Sequence, residues 1–387
     1  MQVENKNNCT GCGACCNICA IGAITMQGDR YGFYKPVIDK DKCINCGLCE
    51  KVCPLGKYKS NNYKEPKAYA FMNSDEIRAK SSSGGAFSAF ADYILKHNGV
   101  IYGVVWDDDI KAVHYRATVI EEIDKMHGSK YVLSDTNNSF KHTKNDLDNR
   151  KLVLFTGTPC QIAGLKSYLQ KEYDNLLTID LICHGAQSPL FFERYKQDFL
   201  KDKKDEKILN INFRSKKAPW GTGYFTTTTT TKRIYHTEKD YYTSLMDLTI
   251  NASCLSCQFT GIPRIADITI GDFWGVDEYD ITLNDKKGTS IVLINSNKAK
   301  SIFGSIKNNY KVTEVPFEVT TIRNPNILRP TKKHNKRDLF LEDIKNTTSF
   351  KSCVKKYLKV PLHITLYRLL PQFAKNFIKY KILKMEK

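Results

Sequence analysis

A duplicated cysteine pattern near the start limits what this chain can fold into more than any other feature. CTGCGACCNICAIGAI (residues 9–24) returns as CINCGLCEKVCPLGKY (residues 43–58), so Cys9, Cys12, Cys15 and Cys19 recur 34 positions later as Cys43, Cys46, Cys49 and Cys53. Clustered thiols in an unsecreted chain point to metal ligation in a reducing cytoplasm rather than to disulfides. The start, Met1 to Thr10, is polar with no apolar h-region. No stretch approaches the ~18 apolar residues that a spanning helix requires.

A Cys-x2-Cys-x2-Cys-x3-Cys run lets three thiolates of one tight loop take three corners of a [4Fe-4S] cube. The fourth cysteine, at the start of the following helix, reaches the other cube. Cys9, Cys12, Cys15 and Cys53 are therefore assigned to one cluster, and Cys43, Cys46, Cys49 and Cys19 to the second. Zinc knuckles do not explain eight cysteines in two copies of this spacing. Ala20 stands where a proline usually follows the fourth cysteine, which loosens that turn without removing a ligand, and Cys16 is a surplus bystander. Residues 1–57 resemble a bacterial two-cluster ferredoxin, which implies that single electrons pass through. What they reach must be read from the rest of the chain.

The rest has the composition of a globular protein, with 41% hydrophobic and 26% charged residues over a length of 387, enough for about two or three domains. The polar segment YKSNNYKEP, Tyr58 to Pro66, reads as a linker. Beyond it strands alternate with helices, and from Ile208 the pattern turns strand-rich, so the fold class is α/β or α+β: a ferredoxin-type domain followed by a mixed α/β domain. The expected divisions are 1–60, 67–145, 150–320 and a basic extension at 331–387.

Three further constellations can carry chemistry. In Ser81-Ser82-Ser83-Gly84-Gly85, small residues before a helix let backbone N–H groups approach a phosphate, although the same loop could be an ordinary cap. Cys160 and Cys183 each follow a strand that feeds a helix, so neighbouring parallel strands would bring both to one sheet edge, where Cys254 and Cys257 of CLSC could complete four ligands. Zinc and unliganded core cysteines are rival readings, and the upstream relay favours a third [4Fe-4S] cluster because it needs an acceptor next in line. In INFRSKKAPWGTGYF and ADITIGDFWG, Arg214, Lys216 and Lys217 could bind an anion. Trp220 or Trp274 could stack on a ring, and Asp267 or Asp272 could orient it; a solvated hairpin with core tryptophans is the plainer reading.

The ordered motifs SSSGGAFSA (81–89), GSKYVLSD (128–135), FTGTPCQIAGLK (155–166), DLICHGAQSP (180–189), NFRSKK with Trp220, and CLSC with ADITIGDFWG (266–275) make residues 67–317 resemble the coenzyme F420 hydrogenase and dehydrogenase beta-subunit family. The resemblance implies an iron-sulfur flavoprotein in which FAD exchanges a hydride with a ring substrate. It assigns Ser83, Gly84, Gly85, Ser129, Lys130, Tyr131, Gly157 and Thr158 to the cofactor, and Cys160, Cys183, Cys254 and Cys257 to an inner cluster. Arg214, Lys216 and Trp220 are the expected substrate contacts. The alternative is a non-catalytic subunit handing electrons to a partner enzyme, in polysaccharide or pigment biosynthesis for example. Expected partners are an electron-donor protein or reductase and a small organic substrate. Lys and Arg exceed Asp and Glu by 59 to 41, a net +18, but no nucleic-acid recognition module is visible. Residues 353–387 carry nine basic residues against one acid, and such an amphipathic tail can lie peripherally on an anionic membrane.

Overall fold

The cysteine duplication recurs in the backbone of the computed structural model, which describes residues 8–56, 60–203, 205–221, 224–237 and 245–358. Gly13 and Gly47 both take the left-handed conformation (φ 79° and 74°) immediately before helices α1 (Ala14–Ile18) and α2 (Leu48–Lys51), a geometry that costs a residue without a Cβ little. Strands β1 (Ile24–Gly28) and β2 (Tyr34–Ile38) pair antiparallel. They bury Ile24 and Ile38 against Cys49, with Cys15, Cys19 and Cys43 packed alongside.

The next three strands are β3 (Lys67–Met72), β4 (Val100–Trp106) and β5 (Ala112–Ala117). They are followed by β6 (Val153–Gly157), β7 (Leu176–Leu181), β8 (Ile208–Asn212), β9 (Phe225–Thr229) and β10 (Ile234–Thr237). The last three are β11 (Ile268–Asp272), β12 (Ser290–Ile294) and β13 (Lys311–Val315). Eight of these form one sheet in the order β13-β3-β12-β11-β7-β6-β4-β5, and β10-β9-β8 form a second, antiparallel one. Within the large sheet β4, β6, β7 and β11 run parallel. Strands from residues 67–145 and from 150–320 are interleaved in it, β3 lying between β13 and β12. The strand-rich stretch after Ile208 divides by burial. All five residues of SIVLI in β12 are buried, as befits a strand covered on both faces, whereas β8 exposes Leu209 and Asn210 and stays in the small sheet.

Helices α3 (Ala86–Lys96) and, later in the chain, Asn297–Ile306 cover one face through Phe90, Ile94, Phe303 and Ile306. Helices α4 (Ser139–Asp148) and α5 (Pro159–Leu169) cover the other through Phe140, Leu147, Ile162 and Leu165, and that same core takes in Ala14 and Val52 of the ferredoxin segment. Residues 60–62, expected as linker, are pinned down: Asn62 Nδ2 donates to the carbonyls of Arg264, Ile265 and Ala266, and Ser60 Oγ to that of Arg264. Burying Ala14 and Val52 in the shared core explains why this connection is held rather than loose. Helices α6 (Pro189–Leu200), α7 (Arg337–Asn346) and α8 (Phe350–Tyr357) pack Phe191, Phe340 and Phe350 against Phe213 and Phe225 of the small-sheet region. The tail expected to meet a membrane thus begins as packed helix, and from residue 359 it lies outside the described residues. No helix among the described residues is long and apolar enough to cross a membrane.

Candidate functional site

Cys9, Cys12 and Cys15 line a cavity with Cys53, Met26, Pro36, Pro54 and Leu55. Cys53 comes from the second repeat, so this cavity is lined by thiols of both halves. Burial, reinforced by neighbouring thiolates, pushes the Cys12 and Cys15 thiols well up. The other set lies nearer solvent: Cys46 is exposed, Cys19 and Cys43 are half-buried, and Cys49 is buried. Cys16 does not line the cavity; its Sγ donates to the Ile24 carbonyl at 3.1 Å.

The inner four cysteines converge from distant segments. Strands β6 and β7 are parallel neighbours, and beyond their C-terminal ends stand Cys160, in the first turn of α5, and Cys183. Cys254 and Cys257 come from the 3-10 turn at Ala252–Ser256 and its cap. Burial pushes Cys160 up to about 12, with Cys257 and Cys254 adding repulsion. Cys183 is raised by burial and then by Cys254, Cys160 and Cys257, and burial holds Cys254 at about 11. Four mutually repelling thiols in a dry site need a cation-rich centre to become thiolates. Among the described residues no three His, Cys, Asp or Glu side chains form a group that could hold a single metal ion. Four cysteine thiolates are a donor set that both zinc and a four-iron cube accept.

The two cysteine sites abut. The Thr10 hydroxyl donates toward Cys160, opposing its rise, and the Cys160 charge in turn acts on Cys12. A Cβ on Gly164 of α5 would stand 2.9 Å from Cys12 Sγ, so a glycine admits the thiol against the helix. Lys35 Nζ donates to the Cys9 carbonyl at 2.8 Å, and its charge reaches Cys254. Thr10 and Lys35 are contacts that sequence reasoning missed, because nothing in their local pattern marks them.

The same edge carries the remaining candidates. Ser83 Oγ donates to the Thr289 carbonyl at 2.8 Å and Gly84 N to Ser290 Oγ at 2.9 Å. A Cβ on Gly84 would stand 2.2 Å from the Phe71 carbonyl oxygen, so close packing of the loop on β3 and β12 accounts for that glycine. Gly85 caps α3 with φ 78°. Ser129 donates through N and Oγ to Ser82 Oγ. Lys130 Nζ donates to the carbonyls of Lys125, Met126, His127 and Gly128, and burial pulls its pKa down to about 7. Gly157 ends β6, and Thr158 N donates to Gln161 Oε1 at the start of α5.

Beside this loop Arg214 Nη1 donates to Asp272 Oδ2 at 3.2 Å and to the Tyr131 hydroxyl at 3.3 Å, and its guanidinium lies 4.8 Å from the Trp274 ring centroid. Trp274 stacks on Trp220 at 5.0 Å and 3°, while Trp220 Nε1 donates to Asp272 Oδ1 at 2.9 Å. Arg214 Nη2 is buried without a hydrogen-bond partner among the described residues. Lys216 Nζ donates to the carbonyls of Arg78 and Ser83, joining this group to the serine-glycine loop, and burial pulls it down to about 8. A small pocket is lined by Arg214, Lys216, Pro219 and Trp220. Asp267 sits apart from Asp272, at the start of β11, where it accepts from Thr178 N and Oγ1 and from Ser296 Oγ. Lys217 is exposed.

Residues 150–319 match the C-terminal part of the family described as coenzyme F420 hydrogenase/dehydrogenase, beta subunit, and residues 68–141 match its N-terminal part. Residues 8–57 match a 4Fe-4S dicluster domain, and a second dicluster description matches residues 35–81. No curated protein matches the chain. Among solved structures, a chain from the F420-reducing [NiFe] hydrogenase complex of Methanosarcina barkeri, a xenon-derivatization study, is 17% identical. The match covers 76% of this chain and 91% of that one, with a TM-score of 0.44.

Proposed function

We propose, from the premise that the chain belongs to the coenzyme F420 hydrogenase/dehydrogenase beta-subunit family and carries a fused 4Fe-4S dicluster domain, that it is an iron-sulfur flavoprotein oxidoreductase. Electrons enter at the Cys19, Cys43, Cys46 and Cys49 set, of which Cys46 is exposed. They pass to the set at Cys9, Cys12, Cys15 and Cys53, then to a third cube on Cys160, Cys183, Cys254 and Cys257, and finally to FAD for hydride-type reduction of an organic substrate. The observation that carries this reading is that Thr10 hydrogen-bonds Cys160 while Cys12 packs against Gly164 of the helix that Cys160 opens, so the thiols of the first set lie beside the inner site.

Bound FAD would supply the exchange between one-electron clusters and two-electron hydride chemistry, which side chains cannot perform. The chain's own part is to hold and orient. The buried, partnerless Nη2 of Arg214 fits an anionic or carbonyl-bearing group, Tyr131 and Asp272 fix that guanidinium, and Lys216 adds positive charge beside the Ser81–Gly85 loop. The second reading, an electron-transfer subunit serving a partner enzyme, draws support from Trp220 and Trp274. They stack on each other and so leave no slot for a ring between them.

Anaerobically purified protein should hold about twelve irons, three four-iron cubes, and noncovalent flavin. Flavin reoxidised by substrate in the isolated chain supports the enzyme reading, and reoxidation only with a partner protein supports the subunit reading. An iron-replete chain that neither carries nor takes up flavin defeats the flavoprotein. All fourteen cysteines are unbridged, which suits a reducing cytoplasm. Peripheral attachment through the basic tail is tested by sedimentation with anionic vesicles at low salt, where a chain ending at Leu358, which keeps the packed helix α8, should stay in solution.

A further inference from the structure

Asp180, near the end of β7, and Arg264, beyond the Cys254 and Cys257 turn, form an ion pair at 2.9 Å with neither side chain exposed at all. Arg264 Nε donates to Thr269 Oγ1 at 3.1 Å and Nη2 to the Leu181 carbonyl at 3.3 Å, while the Thr269 hydroxyl donates to Asp180 Oδ1 at 2.6 Å. Nη1 is buried and has no hydrogen-bond partner among the described residues. Leaving a guanidinium N–H unpaired in a dry interior is costly, and a buried ion pair is a poor source of stability. Both facts are accounted for if an acceptor other than protein lies against Nη1. The neighbourhood identifies it: the partners of Arg264, Asp180 and the Leu181 carbonyl, lead directly into Cys183, and Arg264 itself follows Cys257 by seven residues; a four-thiolate cube would bring sulfur acceptors and net negative charge into that interior.

We propose that Arg264 is a positioning residue for the inner cluster: its Nη1 donates to cluster or Cys257 sulfur, and its buried cation favours the reduced form. The inference rests on the reading of these four cysteines as a cluster site. One electron arriving from the neighbouring ferredoxin cube lowers the inner cube's charge by one, and a fixed cation in a low-dielectric site stabilises that added charge. The inner cube thereby becomes the favoured resting place of the relayed electron. Asp180 tempers the effect, since its carboxylate offsets part of the guanidinium charge.

The two partners therefore predict shifts of opposite sign. Potentiometric titration of the fully loaded protein, followed by electron paramagnetic resonance, should find the inner cluster harder to reduce in Arg264→Lys, which keeps a cation but loses the planar donor. A tenfold fall in the reduced-to-oxidised ratio at fixed potential is expected, about 59 mV for a one-electron couple. Asp180→Asn, leaving the cation less compensated, should move it the other way by a comparable amount, with both ferredoxin cubes unmoved in each variant. An unmoved inner potential at full iron content, or shifts of the same sign, would overturn the proposal. So would loss of the inner irons from both variants, which would make the pair a structural clamp. Wild-type protein with about eight irons and stoichiometric zinc would instead defeat the cluster reading, and the inference with it.

Discussion

In the ferredoxin segment each cluster's first three cysteines lie in one loop and a turn of helix, and a left-handed glycine, Gly13 or Gly47, bends the chain around them. In the inner site the thiols come from the ends of two parallel strands and from a turn far along the chain, and nothing local holds them together. The first arrangement depends on covalent spacing, the second on sheet topology. Removing a ligand should therefore have separable consequences even though Cys12 packs on the helix that carries Cys160.

The largest effect should come from Cys183→Ser. Iron should fall from about twelve to about eight per chain, with both ferredoxin signals retained and electron delivery beyond them abolished; iron analysis with low-temperature paramagnetic resonance reads all three. Loss of every cluster would show that the ferredoxin segment depends on the inner site and would break the contrast.

The two repeats themselves differ in surroundings. A Cβ on Gly13 would stand 2.1 Å from Thr136 Oγ1, whereas one on Gly47 would meet nothing within 4 Å. Gly47→Ala should cost about 1–2 kcal/mol through left-handed strain alone, and Gly13→Ala about twice that, since a fixed neighbour must also move. Anaerobic denaturant melts should rank them in that order, and adding Thr136→Ala should recover the excess. Equal costs would mean that the ferredoxin segment packs less tightly on α4 than the contact implies.

A smaller effect tests the proposed anion site at Lys216. Because burial holds Lys216 near 8, below the ordinary lysine value of about 10.4, it is charged below pH 8 and neutral above. Pyrophosphate binding, read by Trp220 and Trp274 fluorescence, should weaken as pH rises through about 8. Lys216→Met should flatten that dependence, and an unchanged profile would remove Lys216 from the site. The smallest effect belongs to Cys16→Ser, which should leave iron content unchanged and stability within about 0.5 kcal/mol, because a hydroxyl can donate to the Ile24 carbonyl as the thiol does.

By itself the sequence determined the two ferredoxin clusters and much of the strand-helix grammar, because thiols three residues apart in a tight loop are held within reach of one cube by covalent geometry. It also identified Cys160 and Cys183 as strand-end residues, since buried apolar runs such as KLVLFT and LLTIDLI announce parallel strands. Only the tertiary structure decided the rest. The serine-glycine loop looks like a phosphate cradle by composition, yet Gly84 is demanded by the Phe71 carbonyl and Ser290. Trp220 and Trp274, each a candidate ring platform in sequence, stack on one another. Asp180 opens the DLICHGAQSP motif, but nothing local links it to Arg264. Their pairing depends on which strands lie side by side and on complete exclusion of water, and residue spacing encodes neither, because proximity between distant segments is set by sheet order and dielectric environment by the packing of the whole core.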